Sequence, residues 1–201
     1  NLETDHFKGA TFFDQVQYRV KFSTADPSQT PLLRAVFFCA STTQPGDQCE
    51  LDEFSGHPAD LDVPWISQYD PDAVKDRILM EAGVCAATSV TMVLKYYNLP
   101  ANVRDIGKRA YDPSTGIYGN WAFLCAAASE LGPEARIERF SAWQPVELLA
   151  AAGIPTVISI AYPRGTFSAE PEKETKGHLL VVRGFDENGD VIVNDPEATD
   201  P

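Results

Sequence analysis

The chain predicts an α+β fold in which helices come first and an antiparallel sheet comes last. Three observations carry this. Apolar residues recur at helical spacing from Val84 to Tyr97, where Ala86, Val90, Val93, Leu94 and Tyr97 form one stripe. Strand-like runs follow only later, at Pro155–Tyr162, His178–Phe185 and Val191–Asn194. No strand–helix–strand alternation links the two halves, which argues against a doubly wound parallel sheet.

Residues 1–59 read as a segment apart from the main body. Between Asp14 and Phe22, Val16, Tyr18, Val20 and Phe22 alternate with Gln15, Gln17, Arg19 and Lys21, the period-2 pattern of a half-exposed strand. Asp26-Pro27-Ser28 marks a turn, and Leu32–Ala40 is apolar enough for a more buried strand. Two or three strands cannot stand alone. The expectation is therefore the tail of an upstream β-rich domain, or a sheet leaning on the main body, with a linker from Ser41 to Ala59. Cys39 and Cys49 flank Pro45 and Gly46, which suits either a loop-closing disulfide or two separate thiols. The bond would imply an oxidising, extracellular setting.

The main domain is expected over 60–201. After the Val84–Tyr97 helix comes a short one at Val103–Ala110, then one at Asn120–Leu131 stopped by Gly132-Pro133. A fourth has Pro145 in its first turn and Gly153 past its end. Cys125 falls at helical spacing with Trp121, Leu124, Ala128 and Leu131, which makes it a core thiol. The polar stretch Arg164–Lys176 reads as a loop ahead of His178. Glu187-Asn188-Gly189-Asp190 carries the Asn-Gly pair of a two-residue type I′ hairpin, which sets Asp195 opposite Val182.

Bulk properties exclude some functions. With 16 basic against 29 acidic residues the formal charge is −13, which disfavours nucleic acid and anionic membrane surfaces as partners. No apolar run approaches the roughly 20 residues that span a bilayer, so no membrane insertion is expected. His6 and His57 have no second ligand at metal-like spacing. The acidic run Asp186–Asp190 with Glu197 misplaces the glycine of a calcium loop. No metal or cofactor is expected.

The chemistry centres on Cys85, which opens its helix on the face with Ser89, Met92 and Tyr96, away from the apolar stripe. A helix N-terminus stabilises a thiolate, so Cys85 reads as a nucleophile, the alternative being an inert buried thiol. His178 starts one strand and Asp195 ends the next. A cysteine, a histidine and a carboxylate are the parts of a thiol nucleophile, its base and the group that orients the base. On spacing alone the His178 and Asp195 side chains share a sheet face but stand offset, so twist or a bulge must close the gap. Each could equally be structural. Gln68, 17 residues before Cys85, is either a surface side chain or an amide donor that joins the Cys85 N–H in holding an oxyanion.

The stretches Val63-Pro64-Trp65-Ile66-Ser67-Gln68-Tyr69, Gly83-Val84-Cys85-Ala86-Ala87-Thr88-Ser89, Gly116–Trp121, Gly153-Ile154-Pro155, Gly177-His178 and Asn194-Asp195-Pro196 together resemble the papain-fold, C39-like peptidases. These are relatives of the bacterial enzymes that remove double-glycine leaders. The resemblance covers about Leu61 to Pro201, and the domain would be cut short soon after Asp195. It implies a cysteine peptidase acting on a peptide or protein, with Cys85 as nucleophile, His178 as base then acid, Asp195 as orienter and Gln68 as oxyanion donor. Ala86-Ala87 replaces the Gly-Pro that usually follows the nucleophile, which alters the turn into the helix but removes no reacting group. The N-terminal strands resemble the β-rich domain that precedes such peptidases in actinobacterial proteins, which implies a secreted or cell-envelope enzyme. The alternatives are transglutaminase-like acyl transfer to an amine, or a non-catalytic module that binds cell-envelope peptides or polymers.

Overall fold

A computed structural model describes residues 9, 11, 15–30, 32–33, 35–40, 53–82, 84–166, 168 and 173–199. The elements run β1 (Ala59–Asp60), α1 (Pro71–Val74), α2 (Arg77–Ala82), α3 (Cys85–Tyr96), α4 (Val103–Arg109), α5 (Trp121–Ser129), α6 (Gln144–Ala151), β2 (Thr156–Tyr162), β3 (Thr175–Phe185) and β4 (Val191–Asn194). Helices followed by an antiparallel sheet make this an α+β protein. The sequence reading missed α1 and α2, although Asp70-Pro71 is a start signal. The Asp70 side chain accepts the Asp72 N–H, and Pro71 supplies the fixed φ of a first helical residue.

β3 is the strand to which the other three pair, all antiparallel. Val181 and Val182 pair with both β2 and β4, so those two strands lie on opposite edges of β3. One apolar cluster joins the helices through Leu79, Leu94, Val103, Ile106 and Leu124. A second packs Val146 and Ala150 of α6 on Leu180, Val182 and Phe185 of β3. A third, of Val63, Met92 and Val181, locks α3 to β3. Helix α3 is therefore covered on more than the expected stripe. Ser89, Thr91 and Met92 are buried, while Val90 and Val93 are only half-buried, because the sheet packs on the polar-looking face.

The β3–β4 hairpin differs from expectation in a way that matters. The Asp186 N–H donates to the Asp190 carbonyl at 2.9 Å and the Gly189 N–H to the Asp186 carbonyl at 3.1 Å. Asn188 has no positive φ, whereas Gly189 has φ +89°. This is a three-residue loop closed by a left-handed glycine, not a two-residue type I′ turn. It moves the register by one residue. A bulge at Arg183 moves it by another, so Asn194 lies opposite Val181 rather than Arg183. The two shifts carry the residue after β4 about 7 Å along β3 toward His178, at about 3.4 Å per residue.

The strands expected at Asp14–Phe22 and Leu32–Ala40 are not found among the described residues of those stretches. Described residues 15–30, 32–33 and 35–40 carry no strand. Period-2 alternation makes a strand only where a partner completes the ladder, and here Tyr18 and Phe38 meet as rings 4.8 Å apart with no such ladder. Val16, Val20 and Phe22 stay exposed. Cys39 carries a free, exposed thiol, while Cys49 lies outside the described residues. The segment is fastened to the main body at Ser55, whose N–H donates to the buried Glu147 carboxylate at 2.9 Å.

Candidate active site

Helix α3 begins at Cys85 because Val84 before it leaves the helical region (φ −112°, ψ 37°). No side chain caps this end, so the first-turn N–H groups beside the sulfur keep their partial positive charge. Ser89, one turn on, donates its hydroxyl to the Leu179 carbonyl at 3.1 Å. That bond and the Met92–Val181 contact seat α3 on β3. The residue preceding Leu179 is His178, which is thereby brought to Cys85.

His178 is buried, and its Nε2 lies 2.7 Å from Asp195 Oδ1. Asp195 takes Nε2, which leaves Nδ1 for the Cys85 thiol, near enough to the ring to help raise its pKa. Burial works against a charged imidazole, but the bonds to Asp195 and Cys85 and their charges outweigh it. The ring is pushed up from 6.5 to about 10. Burial likewise disfavours the Asp195 carboxylate, yet its bonds with His178 and the Glu197 N–H hold it below the usual 3.8. The structure thus brings Cys85, His178 and Asp195 together, and the register shift is what makes the Asp195 end of the contact possible.

Asp195 is held from a direction the sequence did not reveal. Residues 194–198 run alongside 63–69 and are stitched to them. Asn194 Nδ2 donates to the Val63 carbonyl at 2.8 Å, and Trp65 Nε1 to the Asp195 carbonyl at 2.9 Å. The Gln68 N–H donates to the Pro196 carbonyl at 2.8 Å, and Ser67 Oγ to the Ala198 carbonyl at 3.1 Å. Trp65 is the residue that sequence reasoning passed over, since nothing local ties an indole to a carbonyl 130 positions away.

Gln68 is buried, 3 % exposed, and its Oε1 meets no donor among the described residues. It stands on the same seam as Asp195 but is not among the residues that line the cavity beside Cys85. Cys125 is a half-buried free thiol, pushed up by burial. His57 is exposed with Nδ1 3.0 Å from Ser55 Oγ, and His6 lies outside the described residues. Among the described residues no group of three His, Cys, Asp or Glu side chains could hold a metal ion, and no helix is long and apolar enough to cross a membrane.

No curated protein and no solved structure matches the chain. The model of the Peptidase_C39 like family matches residues 60–200, which takes in Gln68, Cys85, His178 and Asp195 together with every helix and β2, β3 and β4. An α+β chain matched over most of its length by that model belongs to the Peptidase_C39 like family.

Proposed function

We propose that this chain is a cysteine peptidase or amidase in which Cys85, His178 and Asp195 act as a triad and Gln68 assists. The observation that carries the reading is His178 standing between Asp195 and Cys85. An imidazole that stays protonated at neutral pH arrives as the acid for a leaving amine. The Cys85 thiolate attacks the amide carbonyl, and the C–N bond breaks as His178 Nδ1 gives its proton to the departing nitrogen. Water, deprotonated by the now neutral ring, then opens the thioester. The uncapped N–H of Cys85 and the Gln68 amide hold the negative oxygen. Asp195 fixes the ring by binding Nε2.

A peptide library incubated with wild type, Cys85→Ala and His178→Ala tests this. Cleavage by wild type alone is expected, with an acyl adduct on Cys85 detectable by mass. Cleavage that survives Cys85→Ala would overturn the assignment. Amide products formed only with added amine would point to acyl transfer, and binding without turnover to a non-catalytic module.

A further inference from the structure

A cavity of about 240 Å3 opens beside Cys85, walled by Ala82, Ala86, Ile117, Tyr118 and Leu179. Clefts that hold whole small molecules run to roughly 300–1,000 Å3, so this one suits a single side chain. Among the described residues no charged side chain lines it. A charge placed there would give up its hydration without a partner.

The loop wall is held in place by Asp112, itself 5 % exposed. The Asp112 N–H donates to the Ile117 carbonyl at 2.8 Å, and the Gly116 N–H to the Asp112 carbonyl at 2.8 Å. The Asp112 carboxylate accepts the Ser114 N–H at 2.8 Å and the Asn120 amide at 3.1 Å. Asn120 in turn caps α5 through the Phe123 N–H at 3.2 Å. Tyr118 rests on the Tyr111 ring, centroids 4.7 Å apart. The wall is thus built before any ligand arrives, which spares a ligand the cost of ordering it.

We infer that this cavity is the subsite for a substrate residue adjoining the scissile bond, and that it takes an apolar, uncharged side chain. The position relative to the scissile bond rests on the peptidase reading; the apolar preference beside the sulfur does not.

Two measurements separate these parts. Alkylation of Cys85 is timed by peptide mass mapping with iodoacetamide and with N-isobutyl-iodoacetamide, each rate divided by that for free N-acetylcysteine. The cavity should favour the N-isobutyl reagent by about tenfold, the worth of two buried methylenes. Ala82→Phe fills the mouth from an exposed position, and Ile117→Asp sets a carboxylate on the wall. Both should bring the ratio near one, the ratio rather than either absolute rate being the readout. In the peptide library, cleavage should require Val, Leu, Ile, Met or Phe at one position next to the cut. A wild-type ratio of one, or cleavage that favours Asp, Glu, Lys, Arg or Gly at both flanking positions, overturns the inference. A tenfold ratio with no cleavage leaves the subsite standing and sinks the peptidase reading. Cleavage with a flat ratio does the reverse.

Discussion

His178 Nε2 and the Glu197 N–H both bind the same oxygen of Asp195, each at 2.7 Å, so the ring is aligned by a carboxylate that the backbone itself holds still. With the imidazole pushed up to about 10, His178 should remain protonated through neutral pH, and histidine NMR should show it titrating far above 6.5. In Asp195→Asn it should titrate much closer to 6.5. The sign for stability follows. The native ring binds its proton more tightly than the unfolded chain, so its contribution is complete below pH 6.5 and is lost as pH climbs through about 10. Asp195 behaves oppositely, contributing above about 3.8 and fading as pH falls. Urea midpoints from pH 6.5 to 10 should decline in wild type and stay flatter in His178→Gln.

Trp65→Phe keeps the ring but deletes the N–H that holds the Asp195 carbonyl. Loss of that one bond should cost about 1 kcal/mol of stability. A loosened Asp195 should lower kcat about 10- to 100-fold with little change in KM, and should shift the His178 titration downward. Unchanged kcat and an unmoved titration would make Trp65 merely a packing residue.

Gln68 sets stability against catalysis. Its buried Oε1 has no donor among the described residues, a cost that Gln68→Met removes. The variant should unfold at higher urea, gaining about 1 kcal/mol, while kcat falls by about 10²- to 10³-fold as for other oxyanion donors. A stabilised variant with full activity would remove Gln68 from the mechanism.

Gly184 is required by close approach. A Cβ there would overlap the Ala59 carbonyl, so Gly184→Ala must push β1 off β3 and strain the Arg183–Asp60 ion pair, 2.8 Å apart. The expected loss is about 1–3 kcal/mol, read by thermal unfolding. Turnover at low temperature should persist, because β1 carries no reacting group.

Helices α3 to α6 and the late strands were legible because their signals are local. The spacing of Ala86, Leu94 and their neighbours marks a helix, and its start marks Cys85. The pairing of His178 with Asp195 was legible only as a shared sheet face. Its closeness depends on where Gly189 turns and on the bulge at Arg183, both set by packing rather than propensity. Gly189 cannot take a side chain in that loop, since a Cβ would stand 2.7 Å from Phe54, 135 positions earlier. The alternation near Val16–Phe22 misled for the same reason, because a strand is a relation between two segments.

The stitching of 63–69 to 194–198 has a consequence for how the protein fails. Gln68 and Asp195 ride on facing sides of one zipper, far apart along the chain but parted by the same opening event. Parting the two segments would take the Asp195 carboxylate and the Gln68 amide away from Cys85 and His178 together. On the proposed mechanism, loss of this one seam should therefore abolish activity as a unit rather than in steps.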